Sequence, residues 1–95
     1  MSINLSTILV RDDDDLLTSA LADETVMMNV ETGDYLGLNE VGTKIWELLE
    51  NPVSGSTICE QLLRDFDIDK KTCEEQTINF LNHLVENNLV NIQNS

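Results

Sequence analysis

Thr25-Val26-Met27-Met28-Asn29-Val30-Glu31-Thr32-Gly33-Asp34-Tyr35-Leu36-Gly37-Leu38-Asn39-Glu40-Val41-Gly42-Thr43-Lys44-Ile45-Trp46-Glu47-Leu48-Leu49-Glu50 changes its hydrophobic period at Asn39, from two to about 3.6. Before Asn39 the pattern suits a β-hairpin. The turn signal Glu31-Thr32-Gly33-Asp34 separates the runs Val26–Val30 and Tyr35–Leu38, and Gly33 supplies the positive φ that a tight loop needs. After Asn39 it suits a helix. Asn39 is an N-cap residue whose side-chain oxygen accepts from a free amide of the first turn, and Glu40 places negative charge at the positive end of the helix dipole. Val41, Ile45, Leu48 and Leu49 then follow at helical spacing.

Upstream, Ile3, Leu5, Ile8, Leu9 and Val10 make residues 1–11 either a ragged lead-in or a short strand. Asp12–Asp15 lacks the Gly and the distal Glu of a calcium loop and reads as a solvated turn. Leu16–Ala22 is a first strand with Leu17, Ser19 and Leu21 on one face. After the Ala22-Asp23 turn, a second strand, Glu24–Val30, has Val26, Met28 and Val30 on one face and Met27 and Asn29 on the other. In the third strand Leu36 and Leu38 share a face, while Tyr35 and Gly37 point oppositely. Three strands joined by short turns form an antiparallel meander, and the third is an open edge unless something covers it.

Downstream, the first helix runs from Glu40 to about Glu50. Gly42 costs it about 1 kcal/mol relative to Ala, which close packing on the sheet would explain. Trp46 lies off the apolar stripe and anchors the helix to a neighbour; Asn51-Pro52 ends it. Residues 53–56 read as linker. Thr57 and Glu60 have capping-box spacing and open a second helix bearing Ile58, Leu62, Leu63 and Phe66. Asp67-Ile68-Asp69 breaks it, Asp69 caps a third helix from about Lys70 to Asn87, and Asn87-Asn88 stops that one. Leu89–Ile92 is a short apolar tail that packs on or pairs with the sheet. At about 100° per residue, Phe80, Cys73, Leu84, Thr77, Leu81, Val85 and Ile78 span an arc of about 160°, against about 100° for an ordinary amphipathic helix. Such breadth fits either a helix clamped between sheet and helices or one with an exposed apolar margin. His83 falls on the polar side with Gln76.

Ninety-five residues, 41% hydrophobic and 4% aromatic, suit one small domain with an aliphatic core. Eighteen acidic residues against five basic ones give a net charge of −13. That balance argues against nucleic acid and anionic membrane as partners, and is compatible with a basic or neutral peptide or a basic protein surface. No run approaches a membrane span and no secretory signal is visible, so the expected location is cytoplasmic. Cys59 and Cys73 are isolated and read as buried, reduced and structural. No catalytic constellation, metal-ligand set or cofactor motif is present, so the chain reads as a binding domain rather than an enzyme.

The run Tyr35-Leu36-Gly37-Leu38-Asn39-Glu40-Val41-Gly42, followed by Ile45-Trp46 and Leu48-Leu49, resembles the PqqD family of precursor-recognition elements, over roughly Asp12 to Val90. Its wording is closest to the free-standing members of lasso-peptide pathways. The resemblance implies an α+β, winged helix-turn-helix-like domain over residues 12–92, with residues 1–11 as lead-in and 93–95 as tail. Its order would be a three-stranded antiparallel sheet followed by three helices. A DNA-binding role is the natural rival for that shape, but Glu74, Glu75 and Glu86 on the third helix would repel phosphate.

The implied function is to bind the leader segment of a ribosomally made precursor peptide. An extended peptide would add to the edge of the third strand, through Asp34, Tyr35, Leu36, Gly37 and Leu38. On the third helix, the wheel nominates Phe80, Leu81, Leu84 and Val85 as the other wall. The partner would be a leader peptidase or other modifying enzyme. Alternatives are a peptide chaperone for a radical S-adenosylmethionine enzyme and a non-catalytic winged-helix regulator. The open edge also allows a homodimer by strand pairing.

Overall fold

Short apolar runs that cannot bury themselves must find partners, and here they do so in two separate antiparallel sheets. The structure is a computed structural model describing residues 3–12 and 14–93; Met1, Ser2, Asp13 of the expected carboxylate turn and the end of the tail, 94–95, lie outside the described residues. The first sheet is the expected meander, β2 (Leu16–Leu21), β3 (Glu24–Asn29) and β4 (Tyr35–Leu38), in that spatial order. Gly33 has φ +77° in the β3–β4 turn. Asn29 orders that turn, its Oδ1 accepting from the N–H of Glu31 at 2.9 Å and of Thr32 at 3.2 Å. At the β2–β3 turn Ala22 takes φ 56°, a left-handed conformation unfavourable for a side chain with a Cβ.

The meander turns Thr25, Met27 and Leu38 into the core, with Leu36 half-buried beside them. The more apolar face of β3, Val26 with Val30 beyond it, faces outward. Alternation alone left both faces eligible; packing of α1 (Glu40–Leu48) against β3 and β4 selects the Met27 side.

The second sheet settles two open alternatives, since residues 8–11 form a strand and the tail pairs, and it corrects the reading of 53–56 as linker. The lead-in contributes β1 (Ile8–Arg11), the linker contributes β5 (Val53–Ser54), and the apolar tail becomes β6 (Val90–Gln93). β1 lies in the middle, with Leu9 opposite Val53 on one side and Ile92 on the other. The tail thus pairs with the start of the chain and not with the meander. Each segment is only two to four residues long, and its partner lies far away in sequence, so no local period announces it.

The helices are α1, α2 (Gly55–Asp65) and α3 (Lys70–Glu86). Asn39 caps α1, accepting from the Gly42 N–H at 2.9 Å. Ser54, not Thr57, caps α2: its Oγ accepts from the Thr57 N–H at 3.2 Å, so the helix starts two residues before the proposed capping box. Gly55 is needed there because a Cβ would sit 3.3 Å from the Leu5 Cα, where the N-terminal segment crosses and the Ser56 N–H donates to the Leu5 carbonyl at 2.9 Å. Asp69 caps α3, accepting from the Thr72 N–H at 3.0 Å and its hydroxyl at 2.8 Å; those bonds favour the charged form and hold its carboxyl below the ordinary carboxylate range. At the far end Asn88 takes φ 60° while the Leu89 N–H reaches the Leu84 carbonyl and the Asn88 N–H the Val85 carbonyl, a Schellman stop with Leu89 buried.

Leu9, Met27, Ile45, Trp46, Leu49, Ile58, Leu62, Leu81 and Leu84 form the centre of the core between the two sheets and the helices. Trp46 is the expected anchor: the Arg11 guanidinium of β1 lies 5.5 Å from its ring centroid and donates to its carbonyl at 3.3 Å. Cys59 and Cys73 are buried free thiols where α2 meets α3, and burial pushes the Cys59 thiol up. No helix among the described residues is long and apolar enough to cross a membrane. Because Leu9 is fully buried at the centre of the second sheet, Leu9→Ala is expected to cost about 2–5 kcal/mol in denaturant unfolding. A loss within about 0.5 kcal/mol would be that of an exposed lead-in.

Candidate functional site

Among the described residues β4 is paired on one side only. The Asn29 N–H donates to the Asp34 carbonyl at 2.9 Å, which sets the phase of the ladder. With Met27 opposite Leu36 and Thr25 opposite Leu38, residues 36 and 38 exchange bonds with β3, while the Asp34 N–H donates to the Thr32 hydroxyl at 3.2 Å. The N–H and C=O of Tyr35 and Gly37 therefore point to the open edge. Backbone groups so placed need water or another chain to satisfy them.

Beside that edge runs a trough between β4 and α3. Its first part is a recess of ≈ 470 Å³ whose lining includes Leu38, Val41, Gly42, Ile68, Gln76 and Phe80. Gly42 faces both walls: a Cβ on it would stand 3.5 Å from the Phe80 ring and 3.4 Å from the Leu38 Cβ, ordinary van der Waals contact, so close packing does not by itself demand a glycine there. The second part is a recess of ≈ 710 Å³ at the Asp34 end of β4, where Asp12, Asp15, Glu31, Asp34 and Glu86 contribute carboxylates. Leu36 and His83 line both parts, so the trough is continuous. One end is apolar and the other is acidic.

The structure sorts the nominated residues. Asp34, Leu36, Gly37 and Leu38 lie along the trough, and Phe80 forms part of its helical wall. Tyr35 is 73% exposed; it borders the acidic recess, but by alternation its ring is on the opposite face of β4 from Leu36. Nothing lies within 4 Å of the place a Cβ on Gly37 would take, so that position is open to solvent or a partner. Leu81 and Leu84 are corrections. Both are fully buried in the core beneath the trough and offer it no surface. Val85 is half-buried and lines neither recess. The margin of α3 that meets the trough includes Gln76 and His83 from the polar side of the wheel and Phe80 from the adjoining edge of the apolar arc. Gln76 and His83 were missed because a helix wheel ranks positions by hydrophobicity, and a trough open to solvent tolerates polar walls. Among the described residues no group of three or more His, Cys, Asp or Glu is placed to hold a metal ion.

A family model described as coenzyme PQQ synthesis protein D (PqqD) matches residues 24–90. The chain belongs to the PqqD family. Two solved structures share its shape. "TbiB1 in Complex with the TbiA(beta) Leader Peptide" has a TM-score of 0.76 at 28% identity, covering 90% of this chain and 99% of that one. "Lasso peptide synthetase B1 complexed with the leader peptide" has a TM-score of 0.74 at 16% identity, covering 87% and 96%. Comparison with curated proteins gives no match.

The sorting of α3 is testable by stability alone. Leu84→Ala should lower the unfolding free energy by about 2–5 kcal/mol, whereas His83→Ala should stay within about 0.5 kcal/mol of the parent chain. Similar losses in both, measured by urea unfolding, would contradict the placement of the wall.

Proposed function

We propose that this PqqD-family chain binds the leader segment of a ribosomally made precursor peptide and presents it to a separate processing enzyme, in a pathway of the lasso type. The observation that carries the reading is the unpaired edge of β4 beside the trough. An extended peptide can take up the N–H and C=O of Tyr35 and Gly37 as an added strand. Alternate side chains would then drop into the trough. At the Leu38 end they meet Val41, Ile68 and Phe80 and should be apolar; at the Asp34 end they meet carboxylates and should include Lys or Arg. Main-chain bonds supply affinity irrespective of sequence, and the two ends of the trough supply selectivity.

The 28%-identical structure, solved with a leader peptide and matched over 99% of its length, supports this over a regulatory role. So does the charge of −13, which opposes contact with nucleic acid. The chemistry of maturation belongs to the partner enzyme; this chain's part is to bind and position.

Gly37→Pro separates binding from folding. Its N–H faces the open edge, so the substitution removes a donor to the peptide without removing one from β3. Leader affinity, measured by fluorescence anisotropy with a labelled synthetic leader peptide, should fall by about tenfold, with an unchanged circular dichroism spectrum. Phe80→Ala should likewise weaken binding, by removing the aromatic part of the helical wall. Full affinity in both variants would place the peptide elsewhere.

A further inference from the structure

Six large hydrophobic residues are prominently exposed among the described residues, and five of them, Leu17, Leu21, Val26, Val30 and Tyr35, belong to the meander and its turn. The register gathers them on one face. Leu17 stands opposite Met28, which stands opposite Tyr35; Ser19 opposes Val26 and Val26 opposes Gly37; Leu21 stands across from Glu24. By alternation this is the outer face, the one turned away from Met27 and the core, and Val30 continues it beyond β3. Leu17 is 59% exposed and Leu21 67%, values that scattered single residues can show but that here repeat across three neighbouring strands.

The rim of this face has one sign. From Asp12 to Thr43 the sequence contains no Lys or Arg, while Asp14, Asp15, Asp23, Glu24, Glu31 and Asp34 are all exposed on or beside the meander. A second copy packed face to face would bring like carboxylates together, so the face is ill suited to self-association. A partner with an apolar patch ringed by Lys and Arg is complementary to it. The face is also continuous with the strand edge: Tyr35 and Gly37 present their side-chain positions to it and their backbone groups to the edge. A protein seated on the outer face would stand directly beside a peptide paired to β4.

We propose that the outer face of the β2–β4 meander is the docking surface for the processing enzyme itself, which uses an apolar patch with a basic rim. The inference rests on the leader-binding reading and adds the second half of presentation. The trough holds the peptide from one side while the enzyme is seated on the other face of the same sheet.

The test uses the full chain with a synthetic leader peptide and a purified lasso-pathway leader peptidase. In the triple variant Leu17→Thr, Leu21→Thr, Val26→Thr, threonine keeps strand propensity while removing apolar surface. Leader affinity should remain within about twofold of the parent, because none of the three borders the trough. Affinity for the peptidase, by biolayer interferometry, should fall by at least about tenfold. In the parent chain that affinity should also weaken as salt rises, since the rim contribution is screened. If the triple variant is unfolded by circular dichroism, Leu17→Thr and Leu21→Thr separately carry the test, each expected to weaken the peptidase complex alone. Parent-like peptidase affinity with normal leader binding would overturn this proposal and leave leader binding standing. A parent chain that is dimeric by sedimentation, with a monomeric triple variant, would overturn it too. Failure of the parent chain to bind the leader at all would overturn both.

Discussion

Among the described residues β4 has a strand partner on one side only, and its open side is the one that borders the trough. β4 gives the bonding groups of Leu36 and Leu38 to β3, with the Asp34 carbonyl just before them, and leaves those of Tyr35 and Gly37 facing outward. An unpaired edge normally invites aggregation. Here it is short, at four residues, and carboxylates stand at its Asp34 end, so indiscriminate strand addition is disfavoured. The neighbouring elements hold it in place. Leu38 enters the core, Asn39 caps α1 at once, and Phe80 of α3 lies across from Gly42 of that helix. Edge, trough and helical wall are thereby fixed relative to one another before any peptide arrives, which reduces the ordering cost of binding.

The second sheet matters to the same end although it is remote from the edge. β1 joins the start of the chain to β5 and β6, and Arg11 ties that sheet to Trp46 of α1. β6 begins where the Schellman stop of α3 ends, so the position of α3 is coupled at its C-terminus to the first strand of the chain. A truncation to residues 12–92 would remove the central strand of that sheet and loosen α3, the helix that walls the trough.

Local chemistry in the sequence announced most of this. The turn at Gly33, the caps Asn39 and Asp69, the stop at Asn87-Asn88 and the bounds of β4 were legible because each depends on a few adjacent residues. The second sheet was not, because Ile8–Arg11 and Val90–Gln93 pair across almost the whole chain and neither is long enough to display a period. Ser54 was hidden as a cap behind the stronger-looking pair Thr57 and Glu60, and the N-terminal segment that crosses at Gly55 leaves no local signal in the sequence around the cap. In the candidate site the strand side was readable and the helix side was not. Leu81 and Leu84 looked like wall residues because hydrophobicity does not distinguish a core stripe from a trough margin; burial does, and it assigns the wall to Gln76, Phe80 and His83.

The central claim is that an extended peptide completes the β4 edge. The most direct measurement is residue-resolved amide exchange by NMR, with and without a saturating leader peptide. The N–H groups of Tyr35 and Gly37, which face the open edge, should go from fast to strongly protected on binding, while those of Leu36 and Leu38, already bonded to β3, should change little. Protection appearing instead along Leu16–Leu21, the other edge of the meander, with Tyr35 and Gly37 still exchanging freely, would contradict the account.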